Sequence, residues 1–142
     1  MRVNIGPYRN GIKDKRPRLE SVRIDSYDIW NADHTLSLII HPLLVKIREH
    51  KQGVPMVEDG DLPIEIVSKY PYDINGSIDD MIIRWEYVLD EMIWTFDMIS
   101  NKEDTIGYND KGALDMELHN KTWERINNGT RLFGKYFSAL WT

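Results

Sequence analysis

The sequence predicts a mainly α fold: a three- to four-helix bundle with a kinked central helix and a short N-terminal β ribbon. Apolar residues recur at helical spacing along three long stretches. Pro42 falls inside the first of these, where it removes a backbone bond. Period-two alternation marks two short segments near the N-terminus. At 142 residues the chain has the size of one domain, read as a basic β arm (1–25) on a helical body (26–142).

The alternating segments are 2–5 and 21–25, separated by the turn-forming run Gly6-Pro7-Tyr8-Arg9-Asn10-Gly11. The first helix is expected to start after Asp28 and to run to about Lys51, with Gly53 as its stop. Its stripe of Ile29, Ala32, Leu36, Ile39, Ile40, Leu43 and Ile47, with Leu38 and Val45 opposite, predicts a largely buried helix. Prolines 55, 63 and 71 and glycines 53, 60 and 76 make residues 53–77 a long crossing loop, with one helical turn expected near 63–69. Ser77 and Asp80 form a capping box for a second helix reaching about Ile99, with Trp85, Leu89, Met92 and Phe96 on its core face. The third stretch spans about Ala113 to Leu140, on the stripe Met116, His119, Trp123, Ile126, Thr130, Phe133, Phe137 and Leu140. Gly129 interrupts it, either as a helix end or as a point of close helix packing.

Composition narrows the function. No apolar run approaches the ~20 residues that a bilayer span needs, and the N-terminus shows no secretory signal. The chain has no cysteine, which excludes disulfides, thiolate metal sites and cysteine nucleophiles. Residues 1–25 hold seven basic and three acidic residues, a balance of +4. The other residues hold 11 basic and 20 acidic, a balance of −9. An acidic body repels nucleic acid, so general nucleic-acid binding is not expected; the basic arm can hold an anion or pack on the acidic body itself.

Three constellations bear chemistry. Arg125, Asn128, Arg131 and Lys135 place cations and an amide along one helix around Gly129; with Arg9 and Gly11 of the arm they frame a candidate pocket for a phosphate or carboxylate. The competing reading pairs these cations with the acidic second helix. His34 and His41 share a helix face and, with Glu86 and Asp90, are candidate metal ligands; the competing reading makes the histidines packing residues. Glu86, Asp90 and Asp97 can do acid–base work or form a solvated stripe. Five tryptophans and seven tyrosines stand mostly at core spacing, and a surplus ring can stack a base or anchor a partner. The chain has no phosphate-binding glycine loop and no serine nucleophile elbow.

Several segments resemble an uncharacterised family of small tailed-bacteriophage accessory proteins. They are Val3-Asn4-Ile5-Gly6-Pro7-Tyr8, Asp33-His34-Thr35-Leu36, Ile40-His41-Pro42-Leu43-Leu44, Arg84-Trp85 with Val88-Leu89-Asp90-Glu91-Met92-Ile93-Trp94, and Arg125-Ile126 with Asn128-Gly129 and Arg131-Leu132-Phe133-Gly134-Lys135-Tyr136. The segment from Arg23 to Trp30 also fits. The stretches after Pro63 and between Gly11 and Val22 are shorter than that pattern, which marks variable loops. The resemblance implies a viral origin and action in the host cytoplasm, and it implies no reaction and no cofactor. By analogy, small accessory phage proteins of this size often act on the host, for instance by blocking a defence protein or sequestering its nucleotide signal.

The expected function is therefore a phage accessory binding protein, in host interaction or anti-defence. It would capture a small phosphate-bearing or nucleotide ligand or a host protein, either singly or as a homo-oligomer. A metal-dependent hydrolase using the His/Asp/Glu cluster and a virion or assembly component are the alternatives.

Overall fold

The computed structural model describes residues 1–6, 20–72 and 77–141. Helix accounts for 66% of them. The chain forms two compact units, Met1–Leu36 and Ser37–Thr142.

In the first unit β1 (Arg2–Ile5) pairs antiparallel with β2 (Glu20–Arg23). The register sets Val3 opposite Val22 and Arg2 opposite Arg23. All eight strand residues are exposed. A 3₁₀ turn at Ser26–Ile29 follows. Asp25 and Asp28 clasp it: the Asp28 N–H donates to the Asp25 carbonyl at 2.9 Å, and Asp28 Oδ2 accepts from the Asp25 N–H at 2.8 Å. The Met1 ammonium donates to the other Asp28 oxygen. Helix α1 (Ala32–His50) begins after this turn, later than the expected start, because the chain first tightens into the 3₁₀ geometry.

The second unit is a helical bundle. It contains the rest of α1, the short α2 (Ile64–Lys69), α3 (Ile78–Asn101) and α4 (Met116–Lys135). Helix α1 continues through Pro42. Helix α2 falls where one turn was expected. Ser77 caps α3 by accepting the Asp79 N–H at 3.1 Å, and Asp115 caps α4 by accepting the N–H groups of Glu117 and Leu118. No described helix is long and apolar enough to cross a membrane.

Helix α3 is the most buried element. Trp85, Val88, Leu89, Met92 and Phe96 point inward and meet Leu44 and Ile47 of α1 and Leu132 and Tyr136 beyond them. Each such aliphatic side chain contributes about 1.5–3 kcal/mol through burial. Helix α1 buries only Ser37, Leu44 and Ile47, so α3 rather than α1 carries most of the core. Trp85 and Tyr136 pack edge to face with ring centroids 5.6 Å apart.

Helix α4 runs unbroken through Gly129, then gives way to a 3₁₀ turn at Phe137–Ala139. Its buried line is Ile126, Gly129 and Leu132, continued by Tyr136. Met116 and Phe137, on the expected stripe, are exposed. The face is rotated because Gly129 lies against Thr95 of α3. A Cβ at position 129 would stand 2.7 Å from Thr95 Cβ and closer still to its hydroxyl.

Candidate functional site

The α4 cations expected to grip an anion are each held by carboxylates of the chain itself. Arg125 makes a two-pronged contact with Glu91, Nε to Oε2 at 2.9 Å and Nη2 to Oε1 at 2.6 Å. Its guanidinium lies 3.8 Å from the centre of the Trp94 ring. Trp94 and Glu91 are three residues apart on α3, so one helix face presents the ring and the carboxylate together.

Arg131 and Lys135 engage a different partner. Arg131 Nη1 donates to Asp61 Oδ1 at 2.7 Å, and Lys135 Nζ donates to Asp61 Oδ2 at 2.6 Å and to Glu58 at 2.7 Å. Asn128 Oδ1 accepts from Arg131 Nε and Nη2. Tyr136 Oη adds a third donor to Asp61. Burial works against the ionised Asp61, but the bonds from Lys135, Tyr136 and Arg131 outweigh it and hold its pKa below the usual value. Burial and the Asp61 contact together push the Tyr136 hydroxyl up to about 12. The acidic run Glu58-Asp59-Gly60-Asp61 is thus pinned to α4 by α4's own cations. Arg9 and Gly11, the arm's contribution to the expected pocket, lie outside the described residues.

The metal candidates are arranged differently again. Glu86 accepts from Arg48 Nη1 at 2.7 Å and from Lys51 at 2.6 Å, and Asp90 accepts from Arg48 Nε at 2.9 Å. Burial opposes ionisation of Glu86, yet Lys51 and Arg48 hold its pKa below the ordinary glutamate value. It is a fixed carboxylate at neutral pH rather than a proton donor. No group of three or more His, Asp or Glu among the described residues is placed to hold a metal ion. His41 lies within the field of Asp97 in the second unit, and His34 belongs to the first.

Among the described residues the most exposed aromatic rings lie in the first unit, and no motif in the sequence marks them. Tyr27 is 84% exposed and Trp30 89% exposed. The two are three residues apart across the 3₁₀ turn, and the Trp30 N–H reaches the Tyr27 carbonyl at 3.4 Å. That spacing eclipses side chains, so both rings emerge on one side. His34 follows one α-turn later. Tyr27, Trp30 and His34, with Asp28, Asn31 and Thr35, line a cleft of about 360 Å³. A second, apolar cleft of about 160 Å³ lies between Met1, Ile24, Ile29, Ala32 and Leu36. The apolar stripe carries no signal for it, since Ile29, Leu36 and Leu43 on that stripe are exposed and Leu44 off it is buried.

Comparison of the chain with protein families, with curated proteins and with solved structures found no match.

Proposed function

We propose that the chain is a non-enzymatic binding protein that captures a partner protein through its N-terminal unit. In this reading it is a tailed-phage accessory factor acting in the host cytoplasm, and the partner is a host protein such as a defence component. One observation carries the reading: Trp30 and Tyr27 stand almost fully in solvent, in a unit that also exposes Val22, Ile24 and Ile29. Tryptophan and tyrosine are among the residues that most often anchor protein interfaces, and a contiguous exposed apolar patch marks an interaction site.

The choice of a protein over a phosphate-bearing ligand rests on the cations. Arg125, Arg131 and Lys135 already hold Glu91, Asp61 and Glu58. A phosphate would have to displace carboxylates that these side chains grip at 2.6–2.7 Å. The exposed rings need displace nothing but water.

The test is affinity capture from a bacterial lysate, quantified for the wild-type chain, Trp30→Ala and Tyr27→Ala, beside calorimetry against cyclic and linear nucleotides. The expected result is a saturable partner retained by the wild type and lost from Trp30→Ala. Nucleotide binding abolished by Arg131→Ala, with no Trp30-dependent partner, would overturn the reading in favour of a phosphate ligand.

A further inference from the structure

We propose that the outer edge of β1 takes an extended, acidic segment of the partner protein as a third strand. The inference rests on the protein-binding reading above and names the backbone geometry and the charge that the partner must supply.

The ribbon has two unlike faces. Its register sets Arg2 opposite Arg23 and Asn4 opposite Ser21 on one face. On the other, Val3 lies opposite Val22 and Ile5 opposite Glu20. Both faces are open, since all eight strand residues are exposed. Among the described residues the sheet ends at these two strands, so each keeps one edge of backbone N–H and C=O groups that meets no other strand. A two-stranded ribbon is marginal in water by itself, and an extended peptide added to its edge supplies the missing main-chain bonds. The Met1 ammonium, bound to Asp28, ties the start of β1 to the 3₁₀ turn that leads to Trp30.

Charge selects the strand. Like charges directly opposite one another weaken a ribbon, and Arg2 faces Arg23. Arg23 leans toward Asp25, Nε to Oδ1 at 3.3 Å, in a pair largely in solvent. Arg2 makes no ion pair among the described residues. Glu20, the one acidic residue of the two strands, is on the opposite face. The Arg2 face therefore keeps positive charge, and residues 1–25 as a whole carry a balance of +4. A carboxylate on a strand laid beside β1 would stand across from Arg2 at the ~5 Å Cβ spacing of paired strands. The next residue of that strand falls beside Val3, on the apolar face. The segment that fits thus alternates acidic and β-branched side chains.

The experiment is a titration of the ¹⁵N-labelled full chain with three peptides flanked by Gly/Ser. One has a central Glu-Val-Glu-Val-Glu, one a central Lys-Val-Lys-Val-Lys, and the third is the glutamate peptide N-methylated at every central residue. The glutamate peptide should shift the β1 amide resonances saturably and slow their hydrogen exchange, binding at least about fivefold more tightly than the lysine peptide. The N-methylated peptide, which cannot complete the ladder, should not bind. Arg2→Glu should reverse the order and favour the lysine peptide, a result that misfolding cannot give. Equal binding of the two charged peptides, binding of the N-methylated one, or no response at β1 overturns the proposal. So does tighter binding of a single-stranded thymidine oligonucleotide, which would make the arm a polyanion site, or a sedimenting dimer of the free chain with β1 already protected. In each of these events partner capture that still depends on Trp30 leaves the protein-binding reading intact, and loss of that dependence removes both.

Discussion

Tyr136 Oη donates to Asp61 Oδ2 across 2.7 Å, and neither group faces solvent. The bond joins a loop residue to the last turn of the bundle, 75 positions apart in the chain. Asp61 also receives Arg131 and Lys135, so one carboxylate fixes the Glu58–Asp61 segment against α4.

Replacing that carboxylate should be costly. Asp61→Asn keeps the shape but removes the charge that three donors share. Arg131 and Lys135 are partly exposed and can rehydrate. The loss should therefore be about 2 kcal/mol, below the roughly 3–5 kcal/mol of a fully buried pair. The pH dependence has a definite sign. The folded-state pKa of Asp61 is depressed, so the unfolded chain binds the proton first as pH falls. The stabilisation is present above the unfolded value of about 3.9 and is lost as pH drops through the folded value. Urea melts at neutral pH and at about pH 3 should show the gap between wild type and Asp61→Asn closing in acid. A constant gap would refute the assignment.

Gly129→Ala tests the approach of α4 to α3. On an isolated helix the change favours the helix by about 1 kcal/mol. Here the new methyl meets Thr95, so the net effect should be a destabilisation of about 1–3 kcal/mol. Thr95 Oγ1 is buried with no hydrogen-bond partner among the described residues, so Thr95→Ala alone should cost little beyond its lost packing. The double variant should recover part of the loss, a non-additivity that thermal melts can measure.

The contact between Gly129 and Thr95 also explains which parts of the fold were legible in the sequence. The ribbon, the turn of α2 and the Ser77 cap follow from local pattern alone, and each appears within a residue or two of its expected place. The inward face of α4 does not follow from such a pattern. A glycine and a threonine have too little apolar surface to register as core, yet their smallness lets two helix axes approach. The apolar spacing runs through Thr130 and Phe137, whereas the buried line runs through Gly129 and Leu132. The same limit applies at the candidate sites. The α4 cations are visible as a cluster; Arg125 pairs with Glu91 of α3, as the competing reading had it, but the partners of Arg131 and Lys135 depend on a loop that comes to α4 from far along the chain. Trp30 shows a further case: neither a tryptophan count nor the α1 stripe separates a core ring from a solvent-facing one, since Ile29, Leu36 and Leu43 on that stripe are exposed and Leu44 off it is buried.

Arg84 carries the next expectation. Its side chain is 1% exposed on α3, where the resemblance segments read it only as a neighbour of Trp85. Its guanidinium donates to the carbonyls of Val57, at 2.7 Å, and Tyr70, at 3.0 Å, and to the Asp59 carboxylate. One buried fork thus ties both ends of the 57–70 stretch to the core. Arg84→Ala leaves two carbonyls without their donor and opens a cavity, and should lower stability by about 3–5 kcal/mol. Arg84→Lys keeps the charge but cannot span the three acceptors. Hydrogen exchange in Arg84→Lys should accelerate first in residues 57–70 while the α3 amides stay protected. Uniform acceleration would show that Arg84 supports the whole bundle instead.

Trp30 should behave in the opposite way, and the contrast separates a binding residue from a structural one. It is 89% exposed and directly follows the 3₁₀ turn that Asp25 and Asp28 hold through their own hydrogen bonds. Little packing is lost when its ring is removed. Trp30→Ala should shift the melting free energy by no more than about 0.5 kcal/mol, the range of an ordinary surface substitution. Trp85→Ala, by comparison, empties a fully buried ring site in α3 and should cost about 3–5 kcal/mol. The measurement pairs a denaturant melt with partner capture for both variants. Unchanged stability with lost capture assigns Trp30 to recognition. A destabilisation of Trp30→Ala approaching that of Trp85→Ala would mean that the ring is packed in solution, and that capture lost with it reports misfolding rather than a missing contact.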